Sequence, residues 1–268
     1  EVVSALSYAL DITEGQPVGH AVRTTVLGMR LADCLGLGAA ERSDLFYGLL
    51  LKDLGCSSNA ARLATIFRAD DLALKRAHKV TDCRRGADSA RYAFEHALQG
   101  AGPVRRALKT LQIGMTEKGS GREMTETRCE RGAEIAGMLG LDPVTQEAIR
   151  ALDEHWDGRG MPYYRRGDQI PLLGRIAGLA QTVEVFASGF GVGTAYDVAR
   201  ARSGTWFDPG LVEVLGELEM DHAFWGTLVA TDQLEYVTDL EPTDRVLFAD
   251  EARLDQVAEA FARVIDAK

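Results

Sequence analysis

Apolar positions recur along this chain at helical rather than strand spacing. Between Val18 and Leu35, the positions Val22, Val26, Met29, Leu31 and Leu35 mark one face of a helix, which Gly36 and Gly38 end. A second helix is predicted over Ala40–Leu54, with Leu45, Leu49 and Leu50 inward and Gly55 closing it. Weaker patterns cover Ala60–Phe67, Asp70–His78, Arg91–Ala97 and Val104–Ile113, and Lys118 to Gly121 reads as a loop. Thr125–Leu139 is amphipathic up to Gly140, and Pro143 suits the first position of a helix running to about His155. Ile170–Ser188 follows a proline-marked turn as an apolar helix. Alternating β-branched runs are almost absent, so the pattern predicts an all-α protein.

The region after Gly204–Val212 reads differently: Asp221–Glu251 is an acidic, irregular linker, and a last helix spans Leu254–Lys268. The predicted division is therefore a helical domain over 1–219 and a linker with terminal helix over 220–268.

Composition narrows the function classes. Hydrophobic residues make up 46% of the 268 positions and charged residues 26%, which suits a folded globular protein. A net charge of −10 argues against a broad nucleic-acid or anionic-membrane surface but leaves room for a small basic pocket. No apolar run reaches the roughly 18 residues needed to span a bilayer. Cys34, Cys56, Cys83 and Cys129 are scattered without zinc-type spacing, so the reading is reduced thiols in a cytoplasmic protein.

Two stretches carry the most specific signal: Glu154-His155-Trp156-Asp157-Gly158-Arg159-Gly160-Met161-Pro162, and Gly174-Arg175-Ile176-Ala177-Gly178-Leu179-Ala180-Gln181. They resemble the signature of the HD-GYP branch of the HD phosphohydrolases, and the resemblance extends from about Asp11 to about Val212. It implies an HD-type helical bundle whose inward histidines and aspartates hold two or three divalent metals. Such ions lower the pKa of a water that attacks a phosphodiester and neutralise the phosphate.

Carried over residue by residue, the resemblance places the first family histidine on His20, followed by Arg23, and the His-Asp pair on Lys52-Asp53. The next histidine falls on Arg128, the His-His pair on Leu152-Asp153, and the final aspartate on Gln181. The tyrosine of the Gly-Tyr-Pro element is Met161. Only His20 and Asp53 keep ligand identity, as residual metal positions expected to be empty. A protonated lysine offers donors and no lone pair. The expectation is a salt-bridge network in place of the metals, joining Lys52 or Arg128 to Asp53 and Asp153. Breaking one fully buried pair would cost on the order of 3–5 kcal/mol.

The remaining motif residues have structural readings. His20 reads as a hydrogen-bonded core histidine ahead of a metal ligand, and Asp53 as a structural partner ahead of a catalytic group. His155 occupies a variable position of the motif. Asp157-Gly158-x-Gly160 shapes a turn, which Arg175 is expected to clamp through Asp157. Lys79, Arg84 and Arg85 read as solvated surface, and Trp156, Trp206 and Trp225 as core.

Two functions compete. The first is a regulatory or ligand-sensing module without catalysis, with Arg23, Lys52, Arg128, Asp153, Glu154, Asp157, Arg175 and Gln181 as candidate ligand contacts. The second is an active phosphohydrolase acting on a cyclic dinucleotide or another phosphoester. There, Lys52 and Asp53 do acid-base work, or His20 and Asp53 help hold one iron or manganese ion. No other cofactor is expected. The expected partners are a phosphate-bearing small molecule, a second copy of the chain, or further domains of the same chain, but not nucleic acid or membrane. The stretch around Ala260–Asp266 resembles Ala5–Asp11, which implies a fragment ending where a second HD domain begins. The missing initiating methionine fits processing or truncation.

Overall fold

The computed structural model describes residues 2–83, 85–117, 119–229 and 240–242, together with the single positions 255, 258, 259 and 262. Among these there are thirteen α-helices and no β-strand. The helices are α1 Val2–Thr13, α2 His20–Leu35, α3 Ala39–Leu50, α4 Ala60–Phe67, α5 Asp71–Val80, α6 Gly86–His96 and α7 Pro103–Thr116. They continue with α8 Ser120–Met138, α9 Pro143–Arg150, α10 Leu172–Phe190, α11 Val192–Arg202, α12 Pro209–Glu217 and α13 His222–Val229. No described helix is long and apolar enough to cross a membrane.

The helix ends follow local chemistry. Gly36 closes α2 in the left-handed region (φ 67°), and its N–H bonds back to the carbonyls of Ala32 and Asp33. Asp70 caps α5 by accepting the Ala73 N–H at 3.1 Å. Proline opens α7, α9 and α12 at the position whose N–H a helix does not use.

Helix α10 is the centre of the bundle and packs against α2, α3, α9 and α11. Its Ile176, Leu179, Ala180 and Val183 join Val26, Leu27 and Met29 of α2 and Leu45, Leu49 and Leu50 of α3 in one buried core. A smaller cluster built on Phe67, Leu74 and Tyr92 ties α4, α5 and α6 together.

The predicted linker needs correction at its start. Helix α13 occupies its first turns, and Trp225 and Leu228 are buried in the main core. The Trp225 indole N–H donates to the Leu218 carbonyl at 2.9 Å and the ring meets Tyr196 edge-on. The rest of the linker and the terminal helix predicted over Leu254–Lys268 lie outside the described residues apart from scattered positions. Helix α11 has no counterpart in the sequence prediction, and α8 begins inside the stretch read as a loop.

The turn after α3 and helix α8 touch backbone to backbone. A methyl group on Gly55 would fall on the Arg128 carbonyl and lie 2.7 Å from the Gly132 nitrogen. This contact brings Arg128 to the turn that carries Lys52 and Asp53. Because backbone cannot yield as a flexible side chain can, Gly55→Ala is expected to lower the free energy of unfolding by about 3 kcal/mol or more. Urea denaturation measures this, and a loss within experimental error would show that the two backbones are not in contact.

Candidate functional site

Five elements converge on the buried end of the 51–55 turn: α1, the start of α2, α5, α8 and α10. Asp53 is buried, and its carboxylate is held on one side by the neighbouring Lys52 ammonium and on the other by Lys79 at 3.4 Å. Burial pushes the Asp53 carboxyl up, and the Lys52 and Lys79 charges outweigh it, so the group sits well below the usual carboxylate range. Arg128 of α8 pairs with Asp153 in the turn after α9. The expected salt-bridge network is therefore present, with both predicted cations in it.

Lys79 requires a correction. It lies on the site rather than on solvated surface, with a side chain only 12% exposed. Helix α5 supplies two ammonium groups one turn apart: Lys75 reaches Glu14 at 2.8 Å, and Lys79 reaches Asp53. Each ammonium answers a buried carboxylate. Burial would lower the Lys79 pKa, but Asp53 and Glu14 raise it instead, so the side chain stays charged.

His20 opens α2 with its ring fully buried. Its Nδ1 bonds Glu184 of α10, a residue the motif comparison does not single out, and its Nε2 faces Lys79 at 3.4 Å. Burial and the Lys52 charge lower the His20 pKa to about 4, so the neutral ring donates from Nδ1. The Glu184 carboxyl falls to about 2, because the His20 and Arg23 donors outweigh its burial. Before α2, Asp11 accepts the N–H groups of Gly19 (2.8 Å) and Ala21 (3.0 Å), and burial raises its carboxyl to about 6.

A cleft of about 430 Å³ opens over these groups. Asp53, Arg128, Asp153 and Gln181 line it, joined by Lys79, Arg159, Tyr164 and Trp206. The buried Oε1 of Gln181 finds no hydrogen-bond partner among the described residues, which leaves an acceptor free for a bound molecule.

Other predicted contacts are engaged elsewhere. Arg23 bonds Glu184 at 2.6 Å and the Val18 carbonyl at 3.1 Å, away from the cleft. Lys52 lies behind Asp53, off the cleft lining. Glu154 accepts the backbone N–H groups of Tyr163 (2.6 Å) and Arg165 (2.9 Å), so it shapes the loop instead of facing a ligand. Arg175 clamps Asp208 at 2.7 Å and Asp168 at 3.1 Å and lies over Trp156; it does not bond Asp157. Asp157 accepts the Arg159 N–H within its own turn. His155 stacks on Trp206 with ring centroids 4.1 Å apart.

These residues do not fit a dinuclear metal centre. Both carboxylate oxygens of Asp53 meet ammonium groups, and both nitrogens of His20 are engaged. A further buried set, Glu14, Asp53 and Cys56, has its donor atoms within 4.8 Å of one another. Its carboxylates already hold Lys75, Lys52 and Lys79, and burial pushes the Cys56 thiol up, keeping it protonated.

The acid stability of the protein should report the buried neutral His20. Its folded pKa lies below the unfolded value, so the contribution is complete above pH 6.5 and is lost as pH falls toward 4. The expected loss across that window is about 3 kcal/mol. Asp11 acts in the opposite sense, because its raised carboxyl favours the fold as pH falls from about 6 to 3.8. Urea midpoints against pH for the parent and His20→Gln separate the two; equal slopes would show that folding does not shift the His20 pKa.

No family model matches the chain. Over 272 aligned residues it is 39% identical to the 3'3'-cGAMP-specific phosphodiesterase 3 of Vibrio cholerae serotype O1, an alignment covering 100% of this chain and 58% of that protein. A crystal structure of a cyclic GMP-AMP-specific phosphodiesterase of V. cholerae matches with a TM-score of 0.76 and 37% identity, over 100% of this chain and 59% of that one. The chain thus spans well under two thirds of the length of the proteins it matches. The all-α architecture expected from the sequence is found, and the chain has the helical-bundle fold of an HD-domain phosphodiesterase.

Proposed function

We propose that the protein functions in the turnover of a cyclic dinucleotide of the cyclic GMP-AMP kind, and that the cleft over Asp53 and Asp153 holds the ligand's phosphates. The observation that carries this reading is the charge of the cleft. Lys79, Arg128 and Arg159 line it against Asp53 and Asp153, three cations to two carboxylates, with Lys52 directly behind Asp53. The cleft is therefore positive within a chain of net charge −10. Arg128 and Arg159 are the phosphate donors, since guanidinium groups bond phosphate oxygens in pairs. The exposed Tyr164 ring offers a face for a base.

The likeness to a named cyclic GMP-AMP phosphodiesterase supports turnover by the protein. The side chains of this cleft support holding the ligand more than cutting it, since lysines stand where a hydrolytic metal would have to bind. A second reading, hydrolysis within this cleft, draws on that likeness and on the buried Glu14, Asp53 and Cys56 cluster. Localisation follows the substrate: a cytoplasmic protein is the reading consistent with a soluble nucleotide.

Titration of 3'3'-cGAMP by calorimetry, run beside product analysis with and without manganese, tests both readings. Arg159 is 80% exposed on its side chain, so Arg159→Ala should fold normally and bind about tenfold more weakly, with a steeper loss in Arg128→Gln. Manganese-dependent cleavage abolished by Asp53→Asn would move catalysis into this cleft. The absence of both binding and cleavage would overturn the proposal.

A further inference from the structure

Helix α5 serves two spaces with different residues. Lys79 goes to the cleft, whereas Ala73, Ala77 and Val80 line a separate groove of about 430 Å³ between α5 and the end of α10. These three recur at helical spacing, so α5 turns one apolar face to an open space. Val185, Gly189 and Phe190 form the opposite wall, with Phe190 58% exposed. Protein interiors are ordinarily close-packed, so a gap of this size between two helices has room for a molecule.

Polar groups are gathered where the turn after α1 meets this groove. That turn seats tightly on α5, since a Cβ on Gly15 would lie 2.9 Å from Leu72. Arg76 donates from Nε to the Gly15 carbonyl at 2.6 Å, which holds its guanidinium beside Gln16. Gln16 lines the groove and is only 7% exposed, yet its Nε2 finds no hydrogen-bond partner among the described residues. An enclosed amide donor without an acceptor is costly, and a bound acceptor removes that cost. Glu184 also lines the groove, but its charge is already answered by Arg23, with further bonds from His20 and Ser188. Arg76 is therefore the unpaired charge of the lining.

We infer that this groove is a second binding site, which takes a monocarboxylic acid with an apolar chain or ring. The carboxylate meets the Gln16 amide and the Arg76 guanidinium, and the apolar body lies along Ala73, Ala77, Val185 and Phe190. A neutral apolar molecule would leave Gln16 unanswered, and a small anion would leave the apolar walls wet. The groove shares only Val185 with the cleft, so the inference does not depend on what the cleft binds.

Calorimetric titration of the full chain with octanoate, 4-phenylbutyrate and the neutral amide of each is the test. At least one acid should bind with one equivalent per chain, and its amide about tenfold more weakly. Tighter binding of octanoate would identify an alkyl chain as the apolar body, and tighter binding of 4-phenylbutyrate an aryl ring; both support the site. Gln16→Leu and Arg76→Gln should each weaken binding about tenfold. Ala77→Phe should abolish it by filling the groove, with Tm unchanged or raised. Should Ala77→Phe fail to fold, Gly189→Leu blocks the same space, because a Cβ on Gly189 meets nothing within 4 Å. No binding of either acid at millimolar concentration would overturn the inference. So would binding that survives both groove-filling variants, or acid and amide binding equally well.

Discussion

A carboxylate taken out of water must find compensating charge or donors, and the architecture around this site is organised by that requirement. Glu14, Asp53 and Glu184 are all nearly inaccessible to solvent, as is Asp11. They sit on separate parts of the bundle: α1 and its exit for Asp11 and Glu14, the turn after α3 for Asp53, and α10 for Glu184. Their partners cross between elements. Lys75 and Lys79 tie α5 to α1 and to the 51–55 turn, while His20 and Arg23 tie α2 to α10. Asp11 receives backbone N–H groups and no cation in direct contact, and burial outweighs the nearby Lys52 charge and those N–H groups, so its carboxyl pKa rises. The contrast shows what charged contact supplies: where ammonium groups touch the carboxylate, as at Asp53, the group stays ionised, and where the same Lys52 charge acts without contact, as at Asp11, burial prevails.

The cleft depends on this network at one remove. Gly55 lets α8 lie against the turn, which places Arg128 beside Asp153 and within reach of the space above Asp53. Glu154, engaged by two backbone N–H groups, fixes the loop that brings Arg159, Gly160 and Met161 over the same space. Gly160 has no room for a side chain, since a Cβ there would meet the backbone of Glu154 at 2.5 Å. The motif character of the Glu154–Pro162 stretch is thus a property of loop shape. It can persist whether or not the site below it holds metal, which is why motif resemblance speaks to fold more strongly than to activity.

Much of this is legible in the amino-acid order, for identifiable reasons. Helices with a strong apolar stripe and a glycine or proline boundary, such as α2, fall where the pattern puts them to within about two residues. Lys52 with Asp53 and Arg128 with Asp153 follow from a charge argument that needs only the resemblance to place them near one another. Lys79 escapes that argument because a helix bearing Lys75, Arg76, His78 and Lys79 has the composition of a solvated face, and only tertiary placement reveals two buried acids opposite. Glu184 sits within an apolar stretch, where a lone acid is the signal of a buried cation nearby. Arg175 pairs with Asp208 and not with Asp157 because Asp208, 33 residues away, approaches through the α12 cap and not through the local turn. In each miss the deciding contact is long-range, and sequence spacing carries no information about it.

An ammonium and a divalent ion share one property and differ in another, and the difference bears on what this cleft can do. Both neutralise buried carboxylates, so either can hold the bundle end together. Only the metal has vacant orbitals for a water molecule and can bring its pKa near neutrality; lysine offers three donors and nothing for an oxygen lone pair to coordinate. Lys52 and Lys79 at Asp53 therefore supply the electrostatics both of folding and of phosphate attraction. A cleft of that kind is suited to holding a phosphodiester, because positive charge and an open mouth remain. The likeness to a phosphodiesterase over the whole chain and the lysine-filled site are then compatible: the first follows from the shared bundle, the second from a few side chains at its end.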